Sequence, residues 1–177
     1  MKKPKLITVV GTRPEIIRLS EIIKKFDKFF DHRIVFTNQN YSNELSKFFF
    51  DNFNIKIDYD LNTNNNNPIK CIAEIFNKFE TILTKEKPSA CFVLGDTNSA
   101  LSMIVAKKKQ IPIFHYEAGN RCNDERVPEE INRKIIDHIS DVNFTYSEAA
   151  KYNLIKEGLQ LKYIFNLGSP LCEVYNA

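Results

Sequence analysis

The 177 residues contain no stretch approaching the roughly 20 consecutive apolar residues that cross a bilayer. The opening MKKPKLITVV runs straight into a glycine turn without a small-residue cleavage site, so a soluble cytoplasmic protein with no membrane association is expected. Charge of one sign is lacking too: 25 Lys and Arg against 22 Asp and Glu leave a formal +3, dispersed along the chain. Without a basic patch, nucleic acid is not an expected partner. The four cysteines, Cys71, Cys91, Cys122 and Cys172, form no CxxC pair, and reduced thiols are expected in a chain long enough to fold on its own core. His115, Cys122 and His138 match no familiar metal-ligand spacing, so no metal is expected. Glycine is scarce, and the turn GTRPE at Gly11 to Glu15 has only one, which makes it neither a GxGxxG dinucleotide fingerprint nor a phosphate-binding P-loop. Nicotinamide cofactors are disfavoured, and no cofactor is expected.

What is present is ample material for one compact core, with 43% apolar and 12% aromatic residues. Short apolar or β-branched runs at Lys5 to Val10, Arg33 to Thr37, Cys91 to Leu94, Ile111 to His115, Val142 to Tyr146 and Tyr163 to Leu167 each suit a buried strand. Ile16, Leu19, Ile23, Phe26 and Phe30 recur at helical spacing. Thr12 and Glu15 form a capping box for that helix, and Pro14 falls near its first position, where a missing N–H does no harm. Further helices are expected near 43–53, 68–86, 98–108, 128–139 and 147–157. Alternating strands and helices predict an α/β fold, a Rossmann-like parallel sheet flanked by helices on both faces, with right-handed crossovers. The Asn-rich segment from Asn62 to Asn67 reads as a solvated loop, with a flap over a ligand as the alternative.

Three polar motifs follow apolar runs: GTRPE, GDTNS at Gly95 to Ser99, and HYEAGNRCNDERVPEEINR from His115 to Arg133. In a parallel sheet the carboxyl ends of the strands share one edge, so these segments converge on one crevice. GTRPE feeds a helix N-terminus whose free N–H groups favour anions, with Arg13 and, one turn on, Arg18 nearby; a diphosphate suits it. The bland alternative is an ion pair from Arg13 to Glu15 or Asp96. Asp96 is either a helix cap or a functional acid, and GDT alone does not decide. Glu117 needs a partner or a chemical role, since the strand before it is buried; Arg121 and Arg133 are candidate partners. Glu129 and Glu130 follow Pro128 in a helical first turn, where negative charge is favourable without any function. Glu129 shares a face with Arg133, while Glu130 projects about 100° away, which points Glu129 to the crevice. His115 and His138 are expected to be structural.

With GTRPE, GDTNS, HYEAGNR and PEEINR in this order and spacing, the chain resembles, essentially end to end, the N-terminal half of the non-hydrolysing UDP-N-acetylglucosamine 2-epimerases. GTRPEIIRLS, QNY and EAGNRCNDERVPEEINR are similar to the capsule-type branch, which makes UDP-N-acetyl-L-fucosamine from UDP-2-acetamido-2,6-dideoxy-L-talose. The resemblance implies removal of the proton at carbon 2, anti elimination of UDP, and re-addition after protonation on the other face. It places Asp96, Glu117 and Glu129 in the acid/base roles and Arg13, Arg18 and Arg133 near the UDP-sugar, leaving open which carboxylate is the base. Arg18 stands where the common bacterial enzyme has Lys, which alters hydrogen-bonding geometry. Gln39 matches a regulatory UDP-sugar site of some members, but Asn40 replaces their His, so allosteric control is not expected.

The resemblance also implies a two-domain glycosyltransferase-B arrangement, of which this sequence corresponds to the N-terminal Rossmann-like domain. The C-terminal UDP-binding domain is expected to be absent from this truncated chain, which is then inactive or weak by itself. A separately encoded C-terminal half and a homo-oligomer covering exposed apolar surface are the expected partners. The alternatives are a non-enzymatic remnant, or self-associating binding module, from a split gene and, on fold analogy alone, half of a glycosyltransferase.

Overall fold

The computed structural model describes residues 3–38, 43–63 and 67–177, with side chains in the second stretch from residue 48 onward. The chain runs β1 (Lys5–Val10), α1 (Arg13–Phe29), β2 (Asp31–Phe36), α2 (Asn43–Asn52), β3 (Tyr59–Asp60), α3 (Pro68–Glu86) and β4 (Ala90–Leu94). A 3-10 turn at Ala100–Ser102 leads into α4 (Met103–Lys108), followed by β5 (Ile113–Tyr116), α5 (Pro128–Ile139), β6 (Val142–Thr145) and α6 (Glu148–Lys156). A second 3-10 turn, Leu161–Tyr163, precedes β7 (Ile164–Asn166) and α7 (Leu171–Tyr175).

Every pairing is parallel, and the strand order is β3-β2-β1-β4-β5-β6-β7. Ile7, Val9, Cys91, Val93 and Ile113 pack under Ile75, Phe79, Met103 and Ile136 of α3, α4 and α5. On the other face Leu6, Val10, Phe92, Leu94 and Tyr116 pack with Ile16, Leu19, Ile23 and Phe50 of α1 and α2. Both faces are therefore apolar, as a sheet built from crossover units requires. Burial of each of these large side chains stabilises the fold by about 1.5–3 kcal/mol.

The six expected strands are all present. β2 starts two residues early, and β5 starts only at Ile113, because Ile111 N–H still bonds back to Ala106 O at the end of α4. The seventh strand, β3, pairs only two residues with Val35 and Phe36, too short to show any period in the sequence. The helix expected over 98–108 begins instead with its 3-10 turn. Of the Asn-rich loop, Asn67 accepts from Lys70 N–H at 3.0 Å and caps α3, while Asn64 to Asn66 lie outside the described residues, as do Gln39 and Asn40.

Register does the work of positioning. Val9 lies opposite Val93, and Leu94 opposite Tyr116, so Gly11, Gly95 and Glu117 each follow the last residue of a neighbouring strand and reach one edge together. Gly11 is required there by close approach: a Cβ would sit 1.8 Å from Ser99 Oγ and 2.5 Å from Thr37 Oγ1. Those two hydroxyls share a 2.6 Å hydrogen bond that ties β2 to the loop after β4. Gly11→Ala is expected to lower unfolding free energy by about 2–4 kcal/mol in urea denaturation, by overpacking and by breaking this bond.

Candidate functional site

Glu117 leaves β5 with φ 73°, a left-handed backbone that a non-glycine residue adopts only where its surroundings hold it. Its Oε2 accepts from Arg18 Nη1 at 2.6 Å and from Tyr146 Oη at 3.3 Å. Arg18 is thus the direct cation, one helical turn beyond Arg13, and neither Arg121 nor Arg133 takes that place. Arg121 instead joins Asp137, at 2.8 Å, and Glu157, at 2.6 Å, under the loop. Burial raises the Glu117 carboxyl above its ordinary range, and the charge of Arg18 works against that rise.

Asp96 follows Gly95 at the end of β4, and its carboxylate pairs with Arg133 of α5 rather than capping the helical turn that follows. Burial raises its pKa, opposed by Arg133 and reinforced by the nearby negative charge of Glu129. Two carboxyl groups are therefore held partly dry, each against one guanidinium, and each is biased toward titrating closer to neutrality. The Asp96 charge also contributes to the rise on Glu117. Asn132, adjacent to Arg133, donates to Asp96 O at 2.9 Å and fixes the backbone that carries the acid.

The two first-turn glutamates of α5 differ in burial, and Arg133, expected to share a face with Glu129, pairs instead with Glu130. Glu130 is fully buried and accepts from the N–H groups of Cys122, at 3.0 Å, and Asn123, at 3.3 Å, and from Arg133 Nη1 at 3.0 Å. Burial opposes its charge, yet these donors hold it below the ordinary carboxyl range. It is a structural clamp on the loop. Glu129 remains exposed, within electrostatic reach of Asp96.

Arg13 stands exposed at the start of α1 and forms no ion pair with Glu15 or Asp96, whose partners lie elsewhere. Glu15 is 3% exposed, and its oxygens accept from Gly11 N–H (2.5 Å), Thr12 N–H (3.1 Å) and Thr97 Oγ1 (2.8 Å). A residue that the sequence offers as a helix cap or as a partner of Arg13 is thus the bridge from GTRPE to GDTNS. His115 is buried, with Nε2 donating to Gly95 O at 2.9 Å and Nδ1 3.0 Å from Asp137 Oδ1, a structural support under the turn before Asp96. Among the described residues no group of three or more His, Cys, Asp or Glu is arranged to hold a metal ion, and no helix is long and apolar enough to cross a membrane. Tyr146, Asn132 and Thr97 carry no mark of a site residue in the sequence beyond their position, directly after a strand or beside a motif residue.

A family model described as UDP-N-acetylglucosamine 2-epimerase matches residues 24–177. The UDP-N-acetylglucosamine 2-epimerase of Methanocaldococcus jannaschii is 41% identical over 172 residues, covering 96% of this chain and 47% of that protein. A crystal structure of the M. jannaschii UDP-GlcNAc 2-epimerase in complex with UDP-GlcNAc and UDP is similar with a TM-score of 0.92 at 40% identity, over 96% of this chain and 48% of that one. A UDP-N-acetylglucosamine 2-epimerase from Rickettsia bellii matches with a TM-score of 0.93 and 53% identity, over 98% and 47% of the two chains. A lipopolysaccharide outer core galactosyltransferase, at 17% identity and a TM-score of 0.65 over 90% of this chain and 44% of that one, shares the fold alone. The chain spans about half the length of the curated relatives it matches.

Glu15 generates a prediction that needs no ligand. Burial raises its pKa from 4.5 to about 7, against the opposing effect of its hydrogen bonds. The folded state therefore binds more protons than the unfolded state over that interval, so this contribution is fully present below pH 4.5 and is lost as pH rises through about 7. Glu15→Gln is expected to be less stable overall but to lack that slope. Urea unfolding at pH 5 and pH 8 should show the unsubstituted chain losing on the order of 3 kcal/mol more than the variant between the two.

Proposed function

The chain belongs to the UDP-N-acetylglucosamine 2-epimerase family, and from that premise we propose that it is the N-terminal, acid/base-bearing domain of a UDP-N-acetyl-amino-sugar 2-epimerase. The single observation supporting this most strongly is the pair Asp96 and Glu117. Each has its pKa raised by burial and each is faced by one arginine, at the shared edge of β4 and β5.

In the proposed reaction one carboxylate of the site takes the proton from carbon 2. The electrons of that C–H bond become the bond between carbons 1 and 2, while the bond from carbon 1 to the diphosphate oxygen breaks with its pair leaving on UDP. An acid of the site, on the opposite face of the ring, then protonates carbon 2, and the UDP oxygen returns to carbon 1. Asp96, Glu117 and Glu129 are assigned to these transfers. A proton bound to carbon is weakly acidic, so base and acid must be held close and have pKa values near the working pH, which partial burial favours. Arg13, exposed at the start of α1, is assigned to the diphosphate; Arg18 and Arg133 hold carboxylates and face the sugar. UDP-N-acetylglucosamine, interconverting with its manno epimer, and UDP-2-acetamido-2,6-dideoxy-L-talose, giving UDP-N-acetyl-L-fucosamine, are the two candidate substrates. A C-terminal domain, fused or separately encoded, completes the cleft in this proposal, and the chain alone is weak or inactive.

A second reading, a self-associating module without turnover, is favoured by one observation: Val127, Ile131 and Ile135 expose an apolar stripe along α5. It predicts a stable oligomer by sedimentation and no chemistry.

The deciding experiment follows the carbon-2 proton of each UDP-sugar by NMR in deuterium oxide, with the chain alone and fused to the C-terminal half of a family relative. Loss of that signal with the fusion, slow or absent with the chain alone, is expected; no exchange in either, with either sugar, rejects the epimerase assignment. In the exchanging protein, Glu129→Gln is expected to slow exchange by about 100-fold or more with an unchanged melting temperature. Glu130→Gln should instead lower the melting temperature by several degrees, since it leaves buried donors poorly matched.

A further inference from the structure

We propose that Tyr146 is a positioning residue for Glu117, holding its carboxylate so that Oε1 alone is free to exchange a proton with substrate. This rests on the epimerase reading for its chemistry but on separate geometry for its argument.

Oε2 of Glu117 receives both donors, Arg18 at 2.6 Å and Tyr146 at 3.3 Å. Oε1 has no hydrogen-bond partner among the described residues, while the side chain as a whole is 15% exposed. A carboxylate held through one oxygen by two donors has a set plane and one open lone-pair edge. Arg18 alone, on a long side chain from α1, would leave that plane free to rotate. Tyr146 comes from a rigid place. It follows directly on β6, the neighbour of β5, and its ring meets Tyr116 edge-on, with centroids 5.5 Å apart and planes at 79°. Tyr116 in turn donates its hydroxyl to Gly168 O at 2.9 Å. The Tyr146 ring thus packs on a tyrosine that is itself tied down, at the end of an aromatic row.

The strained backbone of Glu117 fits the same role. A left-handed residue has a narrow choice of side-chain directions, and two donors at one oxygen select among them. Burial and the Glu117 charge both raise the phenol's own pKa, so Tyr146 remains a neutral donor through the pH range in which Glu117 titrates. Its hydrogen bond favours the charged carboxylate, in opposition to burial.

The test is a carbon NMR titration of the 177-residue chain labelled at glutamate carboxyls, with the Glu117 signal assigned from Glu117→Gln. In Tyr146→Phe the Glu117 midpoint is expected to move to higher pH, while the Glu15 signal titrates as before and reports an intact fold. Placing 3,5-difluorotyrosine, a stronger donor, at position 146 should move the midpoint the other way. In the exchange assay with the fused protein, Tyr146→Phe should slow carbon-2 exchange about tenfold with half-saturation by UDP-sugar unchanged within about twofold. A Glu117 midpoint indifferent to both substitutions overturns the proposal, as does a moved midpoint with an unchanged exchange rate. If the midpoint moves but the unsubstituted fusion exchanges nothing, the positioning role stands and the epimerase reading falls.

Discussion

A buried carboxylate without a countercharge holds this molecule's functional edge together. Glu15 is held by two backbone N–H groups and one hydroxyl, all neutral donors, at the point where the turn after β1 meets the loop after β4. Burying such a group costs more than neutral hydrogen bonds return when it is charged, which is why its pKa rises to about 7. The same bonds set the direction of α1. That helix carries Arg13 at its first position and Arg18 a turn later, so the latch decides where both cations stand relative to Asp96 and Glu117. Stability is given up locally so that two loops, distant in sequence, keep a common geometry.

The resting site is also electrostatically self-contained. Arg18 is engaged by Glu117, and Arg133 by Asp96 and Glu130. Pairing of this kind keeps the carboxylates ordered without neutralising them, because burial pushes the two acids toward protonation while the guanidiniums pull the other way. Arg13, by contrast, is exposed at the first position of α1, where the helix dipole favours an anion.

Much of this was legible in the residues themselves. The apolar runs found β1, β4, β5 and β6 because a strand buried on both faces is nearly continuous in hydrophobicity, and the helix of Ile16, Leu19 and Ile23 announced itself by period and by its capping box. The angle between adjacent helical residues separates Glu129 from Glu130, but it paired Arg133 with the wrong one, since a guanidinium three residues on also reaches back to Glu130. β3 was invisible because two residues have no period, and its existence depends on the neighbouring β2. The sequence offers Arg121 and Arg133 as partners of Glu117, whereas the fold brings Arg18 of α1 to it and leaves Arg121 to Asp137 and Arg133 to Asp96. Tyr146 read as the last residue of a strand, and only the side-by-side placement of β5 and β6 gives it something to hold. Contacts between strand ends are long-range by construction, and such contacts leave no local trace.

The strand order has a consequence for biogenesis. β1 is made well before β4 yet lies inside the sheet, with Leu6 opposite His32 on one side and opposite Ala90 on the other. Its second flank therefore has no partner until the chain has grown past α3, a wait on the order of several seconds at roughly 5–20 residues per second. Until then an apolar strand has one unpaired edge, and loop closure over that span slows the search for β4. During that wait the early βαβ unit of β1, α1 and β2 is what shelters the apolar strand from other chains.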